Sequence, residues 1–561
     1  MKMAKVFLCF AVLLFLASPA PAGAGAHKEL RIGVSQYPST MHPYFDEMVA
    51  KSLVLGATSR PVTVYGPDWK AACMYCTELP SYENGRAKKV ALEDGKTGID
   101  ATYTLKDGLF WGDGTPLSTK DILFAYEVGK HPKSGVGNGE FFIKDIVTVT
   151  AADDKTFTIR FAKEKCDFAP ISDFHPLPEH LERAIFEKDP ETYKNRTLYN
   201  TAPETPGLWS GPYRFAKFSS GAFITLERNA AWKGKAPYFD KVTFRTIDNS
   251  SALTANLLSG DVDYIAGELG IMLDEALSFE KRLKAARPGK FNVVYKQGLT
   301  YEHIDLPHDK APFDNADMRR ALLYAIDREA IGKQVFGGHQ QPAVSNVNPL
   351  DPVFTKDITS YAADTAKSGA LFDALGWKKG ADGFRYNDKG EKLRITLSTT
   401  AGNRTRELIA QAIQSDMKKA GVDLQIDLQP ARVLFGDTMR KREFKGGVMY
   451  AWMSAPQSIP KTTLYSSMIP TKENNWAGQN YPAFASDKMD KIIDDLDTVC
   501  EADKNLALWH ELQALYADEL PALPLYYRAD SFIMPVWLKG VTPTGHLHPS
   551  TLWIENWSAA P

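Results

Sequence analysis

The segment covering residues 393–429 restricts the fold of this chain more than any other. Apolar and polar residues alternate over residues 393–397, which is the period of a half-buried β-strand. A helical stripe over residues 408–417 follows, and Lys418-Lys419-Ala420-Gly421 has the basic residues and the glycine that end a helix. Alternation resumes over residues 422–428. A strand, a helix and a strand within this length predict a crossover between parallel strands, and therefore an α/β domain.

Two hairpins add antiparallel strands to this α/β prediction. A turn dipeptide stands on each side of Leu109-Phe110-Trp111, and Trp111 is predicted to be a core residue. Ser118 stands three residues before Asp121, where its hydroxyl can cap a helix. Further predictions are a hairpin at Tyr213–Arg228, strands at Leu30–Val34, Lys241–Ile247 and Val262–Ile265, a helix at Ser250–Ser259 that stops at Gly260, and irregular structure over 60–100.

Length and charge limit the classes of protein that the chain can represent. A chain of 561 residues is too long for one ordinary core, so two or three domains are expected. The formal charge is −2, and positive and negative residues are well mixed. A nucleic-acid or anionic-membrane partner would require a basic block, which the sequence lacks. We therefore expect no nucleic-acid partner.

The N-terminus has the pattern of an export signal. Lys2 and Lys5 precede the apolar run Val6–Ala17, which is too short to span a bilayer comfortably. Small residues follow, and Ala24-Gly25-Ala26 is the preferred cleavage site, with Ala20-Pro21-Ala22 as the alternative. Neither site carries a cysteine, so a lipid anchor is not expected. The pattern predicts a periplasmic protein whose signal peptide is cleaved.

Cysteine usage agrees with export. Cys9 leaves with the signal, and an even number remains: Cys73, Cys76, Cys166 and Cys500. An even number in an exported protein permits disulfides. The Cys73-Met-Tyr-Cys76 spacing fits half of a zinc site, but the second pair that zinc needs is missing. We predict that Cys73 and Cys76 form a disulfide, and the pairing of the other two is left open.

Sequence patterns of catalysis and of metal or cofactor binding are missing. The chain has no H-E-x-x-H, P-loop, G-x-S-x-G or dinucleotide-binding glycine pattern. Adjacent acids such as Asp494-Asp495 are typical of a solvated helix face. His546-Leu547-His548 is the only close histidine pair. We expect no catalytic residue, no metal site and no cofactor, so an enzyme is not predicted.

Four blocks, in order and spread over nearly the whole chain, give a resemblance to a known family. They are TYTLKDGLFWGDGTPLSTKDILFAYE, SGPYRFAKFSSGAFITLERNAAWKGKAPYFDKVTFRTI, APFDNADMRRALLYAIDREAIGKQVFGG and LPALPLYYR. In these blocks the chain resembles the family 5 extracellular solute-binding proteins. Members are receptors of ABC importers for dipeptides, oligopeptides, nickel chelates and some sugars.

The resemblance implies an α/β fold of the periplasmic-binding-protein type, with two lobes around a cleft and three subdomains. It implies hinge closure around a buried solute, and a monomer that delivers the solute to the permease and ATPase subunits of an ABC importer. The implied division is a signal peptide at 1–26, lobe I at 27–60, 205–297 and 521–561, an extra subdomain at 61–204 and lobe II at 298–520.

The resemblance also suggests ligand-binding residues. In peptide-binding members an aromatic residue on a strand of lobe II is followed closely by an aspartate that binds the amino terminus of the peptide. Trp452 matches the aromatic residue, and Ala455 stands where the aspartate would be. The other candidates are Met453 and Ser454 beside it, Arg440 as a carboxylate-binding residue, Trp476 in a later segment, and Tyr301 and His303 at the start of lobe II.

Several functions remain open on this basis. A peptide is the favoured solute, because most of the family binds peptides. Because Ala455 offers no carboxylate, the ligand either lacks a free α-amino group or has its amine bound by an acid from elsewhere. The alternatives are a receptor for a sugar conjugate, a metal chelate or a modified peptide, a peptide-binding chaperone or signalling receptor, and a hydrolase, for which no nucleophile–base pair is visible.

Overall fold

The computed structural model describes residues 27–45, 48–134, 136, 141–172, 174–430, 433–453, 455–473 and 478–560, without the side chains of 268, 436 and 437. The strands are β1 (Glu29–Val34), β2 (Thr63–Tyr65), β3 (Ala71–Cys73), β4 (Ala87–Ala91), β5 (Thr97–Thr104), β6 (Ile146–Ala151), β7 (Thr156–Phe161), β8 (Tyr213–Ser219), β9 (Phe223–Arg228), β10 (Lys241–Thr246), β11 (Tyr264–Ile265), β12 (Phe291–Asp305), β13 (Lys378–Lys379), β14 (Arg385–Tyr386), β15 (Arg394–Thr400), β16 (Asp423–Gln429), β17 (Gly447–Met453), β18 (Ala522–Pro535), β19 (Leu538–Lys539) and β20 (Ser558–Ala559).

The helices complete an α/β architecture. They are α1 (Val49–Thr58), α2 (Thr119–Lys130), α3 (Glu179–Lys188), α4 (Tyr193–Arg196), α5 (Leu198–Thr201), α6 (Ser250–Ser259), α7 (Leu273–Ala286), α8 (Ala316–Ala325), α9 (Arg328–Phe336), α10 (Thr365–Ala374), α11 (Arg404–Ala420), α12 (Lys461–Leu464), α13 (Asp487–Thr498) and α14 (Ala502–Glu519). Short 3₁₀ or π turns lie at Phe141–Asp145, Pro206–Leu208, Gly267–Leu269, Leu434–Met439, Ser466–Met468 and Ser550–Asn556.

One large sheet connects two separate cores. Its strand order is β16-β15-β17-β12-β18-β11-β1-β10-β9-β8. The apolar side chains at the β1 end, such as Ile32 and Trp209, belong to lobe I, together with a neighbouring cluster around Phe279. Those at the β15 end, such as Ile409, belong to lobe II, together with a cluster around Leu496. The molecule therefore has two lobes that share a sheet.

The long strands β12 and β18 run from one lobe into the other. The first half of β12 pairs with the second half of β18 beside lobe I, where Ile533 also pairs with β11. The second half of β12 pairs with β17 in lobe II. A β-bulge shifts the β12–β18 register between Gln297 and Tyr301. Within the bulge, the Leu299 amide donates to the carbonyl of Gly545 over 2.8 Å. The bulge therefore marks the passage between the lobes.

The predicted crossover in lobe II is confirmed. β15 and β16 are parallel, with Leu397 opposite Ile426, and α11 connects them. The Asn403 side chain accepts a hydrogen bond from the Arg406 amide and caps α11, while Gly421 ends it at φ 89°. The sequence pattern thus predicted both the elements and their relative direction.

The opening hairpin also folds as predicted. Ser118 and Asp121 form a capping box at the start of α2. Trp111 is 1% exposed and belongs to the apolar cluster at the β1 end of the molecule, so the prediction of a core residue is confirmed. The stretch 60–100 is less irregular than expected, because it contains β2, β3, β4 and part of β5. β4 and β5 belong to an antiparallel sheet of order β4-β5-β7-β6, and cross-strand pairing stabilises these short strands despite the local Pro and Gly residues.

Two disulfides cross-link the described residues. Cys73 and Cys76 are bonded, with their Cα atoms 5.0 Å apart. Cys166 and Cys500 are bonded across a sequence separation of 334 residues. Cys166 follows β7 of the four-stranded sheet, and Cys500 lies between α13 and α14 of lobe II. The second bond therefore joins the four-stranded sheet to lobe II.

Candidate functional site

A cleft of about 880 Å³ lies between the two lobes. Lobe I contributes α1, the start of α7 and the segment 545–552, while the end of β17 contributes Met453 and the chain after it contributes Ala455 and Pro456. The two crossing strands contribute residues around the bulge, including Leu299 and Thr300. A space of this size that is lined from both lobes is typical of a small-ligand site.

Alternate residues of β18 line the cleft, because side chains two positions apart share one face of a strand. They are Tyr526, Arg528 and Asp530. The Arg528 guanidinium contacts the buried carboxylate of Glu302 at 2.5 and 2.8 Å. Arg406 donates to the other oxygen of Glu302 over 2.7 Å. The formal charges of Glu302, Arg406 and Arg528 sum to +1.

Glu302 stays ionised in spite of its position. Burial by itself would raise its pKa, but the charges and hydrogen bonds of Arg528 and Arg406 hold the pKa below its ordinary value. Buried charges are stable only when their partners are present, so loss of Glu302 would leave the two arginine charges without their carboxylate. The Glu302 network therefore fixes the position of Arg528 in the wall of the cleft.

Asp530 has a different environment. Its side chain is only partly accessible from the cleft. Among the described residues, no hydrogen bond or ion pair reaches its carboxylate. Burial raises its pKa to about 6, and the charge of Arg528 offsets only part of this effect. The cleft therefore contains an acidic group without a partner in the described part of the chain.

The other polar groups of the cleft have partners or are neutral. Lys51 donates to the carbonyl oxygens of Pro43 and Phe45 at 2.8 and 2.7 Å. Asp274 accepts from Thr405 over 3.0 Å. Burial lowers the pKa of His175 to about 3, of His546 to about 4 and of His548 to about 3, so all three rings are neutral near pH 7.

A smaller cavity of about 200 Å³ opens beside the cleft in lobe II. Leu299, Met453 and Ala455 line both spaces, so the two are adjacent. Its walls are aromatic and polar. The Tyr450 hydroxyl donates to Asp305 over 2.7 Å, and an oxygen of Asp305 lies 3.4 Å from His303 Nε2. Aromatic walls with a few fixed polar groups suit a ligand side chain or ring.

The structure places most of the predicted site residues at these two cavities. Trp452 and Met453 end β17, and Trp452 lines the small cavity while Met453 lines both. Tyr301 and His303 are buried in the wall of the small cavity, with their rings stacked 4.8 Å apart. Each of these four side chains has a surface that faces space where a ligand could lie.

Three other predicted residues do not join this group. Arg440 follows the π turn at Leu434–Met439 instead of lying on a helix face, is exposed, and is not among the residues that line either cavity. Ser454 and Trp476 lie outside the described residues. Their contribution to a site stays a prediction.

Sequence patterns did not identify the cleft-lining residues of β18 as site residues. The block LPALPLYYR ends at Arg528, so its resemblance did not reach Asp530. The alternation of Tyr526, Arg528 and Asp530 is a signal for one shared strand face. However, the alternation does not show that this face borders a cleft, because that depends on the pairing with β12.

Two lobes that enclose a cleft and are joined by a pair of strands are the architecture of a two-lobed solute-binding receptor. In the described part of the chain, no helix is both long and apolar enough to cross a membrane. No group of three or more His, Cys, Asp or Glu side chains among those residues could hold a metal ion.

The family model described as bacterial extracellular solute-binding proteins, family 5 middle, matches residues 85–474. The chain belongs to this family. The oligopeptide-binding protein OppA of Bacillus subtilis (strain 168) is 25% identical over 537 residues, which cover 92% of this chain and 90% of that protein.

Two solved structures have a fold similar to that of this chain. The oligopeptide binding protein from Thermus thermophilus, complexed with a pentapeptide, has a TM-score of 0.69 and 26% identity, covering 95% of this chain and 96% of that one. NikZ from Campylobacter jejuni in complex with Ni(L-His) has a TM-score of 0.69 and 20% identity, covering 95% and 99%. This second likeness shows the shared fold.

Proposed function

We propose that this chain is the exported substrate-binding component of an ABC importer, which captures a small peptide in the interlobe cleft and delivers it to a membrane permease and ATPase. The observation that carries the proposal is the 880 Å³ cleft between two lobes that β12 and β18 connect. A ligand that contacts both lobes stabilises their closed arrangement by its differential affinity, and this gives the permease a state to recognise.

Three features support a peptide as the solute. The similar proteins from Bacillus subtilis and Thermus thermophilus are named as oligopeptide-binding proteins. The cleft is within the 300–1,000 Å³ range of small-ligand sites. The adjacent small cavity has aromatic walls from Tyr301, Tyr450 and Trp452, which suit a ligand side chain.

The organisation of the mature protein is part of the same proposal. Residues 1–26 act as a cleaved signal peptide, and the chain is an unlipidated periplasmic monomer without catalytic activity. Lobe I is formed by 27–60, 205–297 and 521–561, the extra subdomain by 61–204 and lobe II by 298–520. The intact mass of the secreted protein tests the first point: a start at His27 or Gly23 is expected, and a lipid-sized increment would contradict it.

A non-peptide solute is the second candidate. Ala455 stands where peptide-binding members have an aspartate for the amino terminus. NikZ, which shares the fold, was crystallised with Ni(L-His). A modified peptide, a sugar conjugate or a metal chelate would not need that aspartate, so this candidate remains beside the first.

Ligand release from the purified protein tests both candidates. The protein is isolated from the periplasm without refolding, denatured, and the released small molecules are identified by mass spectrometry. Peptide masses support the first candidate, and a chelate or conjugate supports the second. An empty protein that binds none of these compounds in calorimetry would refute both. Incubation of the identified ligand with the protein should leave its mass unchanged, since a hydrolase would convert it.

A further inference from the structure

Asp530 lines the cleft beside the bulge at which β12 passes between the lobes. A Cβ atom built on Gly298 would lie 3.6 Å from Asp530 Oδ2 and 3.0 Å from the carbonyl oxygen of Gly545. Because Gly298 has no side chain, the Asp530 carboxylate lies close to the backbone of the bulge. The Asp530 carboxylate therefore borders the cleft, which β18 and both lobes line.

We propose that Asp530 is the carboxylate that binds the cationic amine of the ligand in this protein, from β18 instead of from the segment after β17. The proposal rests on the proposed function, because it assigns the ligand class of the same cleft. The class is a solute with a free ammonium group, of which a peptide with an unblocked α-amino group is the main member.

The other carboxylates that line the two cavities already have partners. Asp274 accepts from Thr405 over 3.0 Å, and Asp305 accepts from Tyr450 over 2.7 Å. Asp351 accepts from the backbone amide of Gln457 over 2.7 Å. Each of these three carboxylates therefore accepts a hydrogen bond from within the protein. Among the described lining residues, Asp530 is the carboxylate for which a ligand would supply the missing hydrogen-bond donor.

The neighbouring cations do not neutralise Asp530. Arg528, two positions earlier on the same face, is bonded to Glu302 through its Nε and one terminal nitrogen. Lys296 is opposite Asp530 in the β12–β18 register, but no ion pair joins them. A partly buried charge without a partner is unfavourable, and a ligand ammonium relieves this cost when it binds. The same carboxylate would repel an anionic group at that position.

This assignment also accounts for Ala455. Both Ala455 and Asp530 line the cleft, and only the second of them carries a carboxylate. The chain therefore has one acid for the amine, in a different place from the peptide-binding pattern described above.

Paired peptide probes test the assignment. The probes are an equimolar mixture of Ala-Xaa-Ala tripeptides and the same mixture with acetylated amino termini. Each mixture is dialysed against the mature protein, and retained species are quantified by mass spectrometry. The proteins compared are the wild type, Asp530→Asn, and Asp388→Asn, whose exposed position gives the same change of net charge far from the cleft.

The wild type and Asp388→Asn should retain free-amine peptides and exclude acetylated ones. Asp530→Asn should retain about thirtyfold less of the free-amine peptides, the scale of removing one partner from a buried charge pair. Equal retention of free-amine peptides by the wild type and Asp530→Asn would overturn the assignment alone. Preference of the wild type for acetylated peptides would overturn it without any variant. Retention of no peptide by any protein would overturn the proposed peptide function and this inference together.

Discussion

Tyr301 lies directly opposite Trp452 in the ladder between β12 and β17, and its hydroxyl is 2.6 Å from that of Tyr516. Trp452 is only half-buried, whereas Tyr301 and Tyr516 are buried. Tyr301 is thus held in place by Tyr516 of α14, whereas Trp452 keeps an exposed surface toward the small cavity. Both rings line the small cavity, but Trp452 is the more exposed of the two.

Replacing Trp452 with alanine is therefore expected to weaken ligand binding by about 2 kcal/mol or more, the scale of an aromatic hot spot. The fold should persist, because the side chain is half-buried at the end of a strand. Calorimetry with the ligand released from the native protein measures the effect, and circular dichroism checks the fold. Unchanged affinity with a lowered melting temperature would show that Trp452 is a core residue instead.

Asp530 gives a stability prediction whose sign follows from its pKa. The folded state raises this pKa from 3.8 to about 6, so the folded protein binds the proton more tightly than the unfolded chain does. Ionisation of Asp530 above about pH 6 therefore lowers the free energy of unfolding, and protonation of Asp530 between pH 6 and pH 4 restores it. Asp530→Asn should be more stable than the wild type at pH 7.5, on the order of 1 to 3 kcal/mol, with the difference nearly gone at pH 4.

Denaturant unfolding of both proteins at each pH measures this difference. The other charged or titratable groups around the cleft are the same in both proteins, so their titration cancels: Lys51, His175, Asp274, Lys296, Arg528, His546 and His548. A lower stability of Asp530→Asn at pH 7.5 would show that the carboxylate has a stabilising partner in the unliganded protein.

Gly545 supports the passage between the lobes and should not tolerate a side chain. Its φ of 76° is a left-handed conformation that favours glycine, and an added Cβ would collide with the carbonyl oxygen of Gln297. Gly545→Ala is expected to lower stability by about 1–3 kcal/mol. Thermal unfolding measures this loss. Gly390→Ala is the matched control for φ alone, because its φ is 77° and its Cβ would meet open space. Equal losses for the two variants would contradict a role for the Gln297 contact.

The Cys166–Cys500 bond should contribute measurably to stability. It closes a loop of 334 residues, and loss of a native disulfide from an exported domain commonly costs about 2–5 kcal/mol. The double variant Cys166→Ser/Cys500→Ser is expected to unfold at a lower denaturant concentration. The matched control is Cys73→Ser/Cys76→Ser, whose loop spans a separation of three residues and should cost less. Alkylation of the denatured, unreduced mature protein should find no free thiol, and four free thiols would contradict both bonds.

Local patterns were sufficient to predict the elements that depend on local physics. The β15–α11–β16 crossover and the capped helix α2 were visible because burial on one face sets the period and side-chain caps set the ends. The resemblance gave the two-lobed architecture and pointed to Trp452. The crossover and α2 needed only residues that are near each other in the chain, whereas the resemblance rested on four blocks spread along it.

Asp530 could not be assigned from the sequence, because its surroundings come from distant segments. Its ligand-facing position depends on pairing with β12 more than 200 residues earlier, on the bulge in that pairing, and on Gly545. The Cys166–Cys500 pairing was equally hidden, since four cysteines allow three connectivities. The position of Arg440 depended on a π turn at Leu434–Met439 that apolar spacing does not distinguish from an α-helix.

The Cys166–Cys500 bond changes the number of independent motions that the two lobes have. Two bodies joined only by adjacent strands can rotate about several axes and can also twist. A second covalent attachment, between Cys166 and Cys500, is expected to remove part of this freedom and to favour rotation about the line through both attachments. Reduction of this bond would restore the other rotations without altering a residue that lines the cleft.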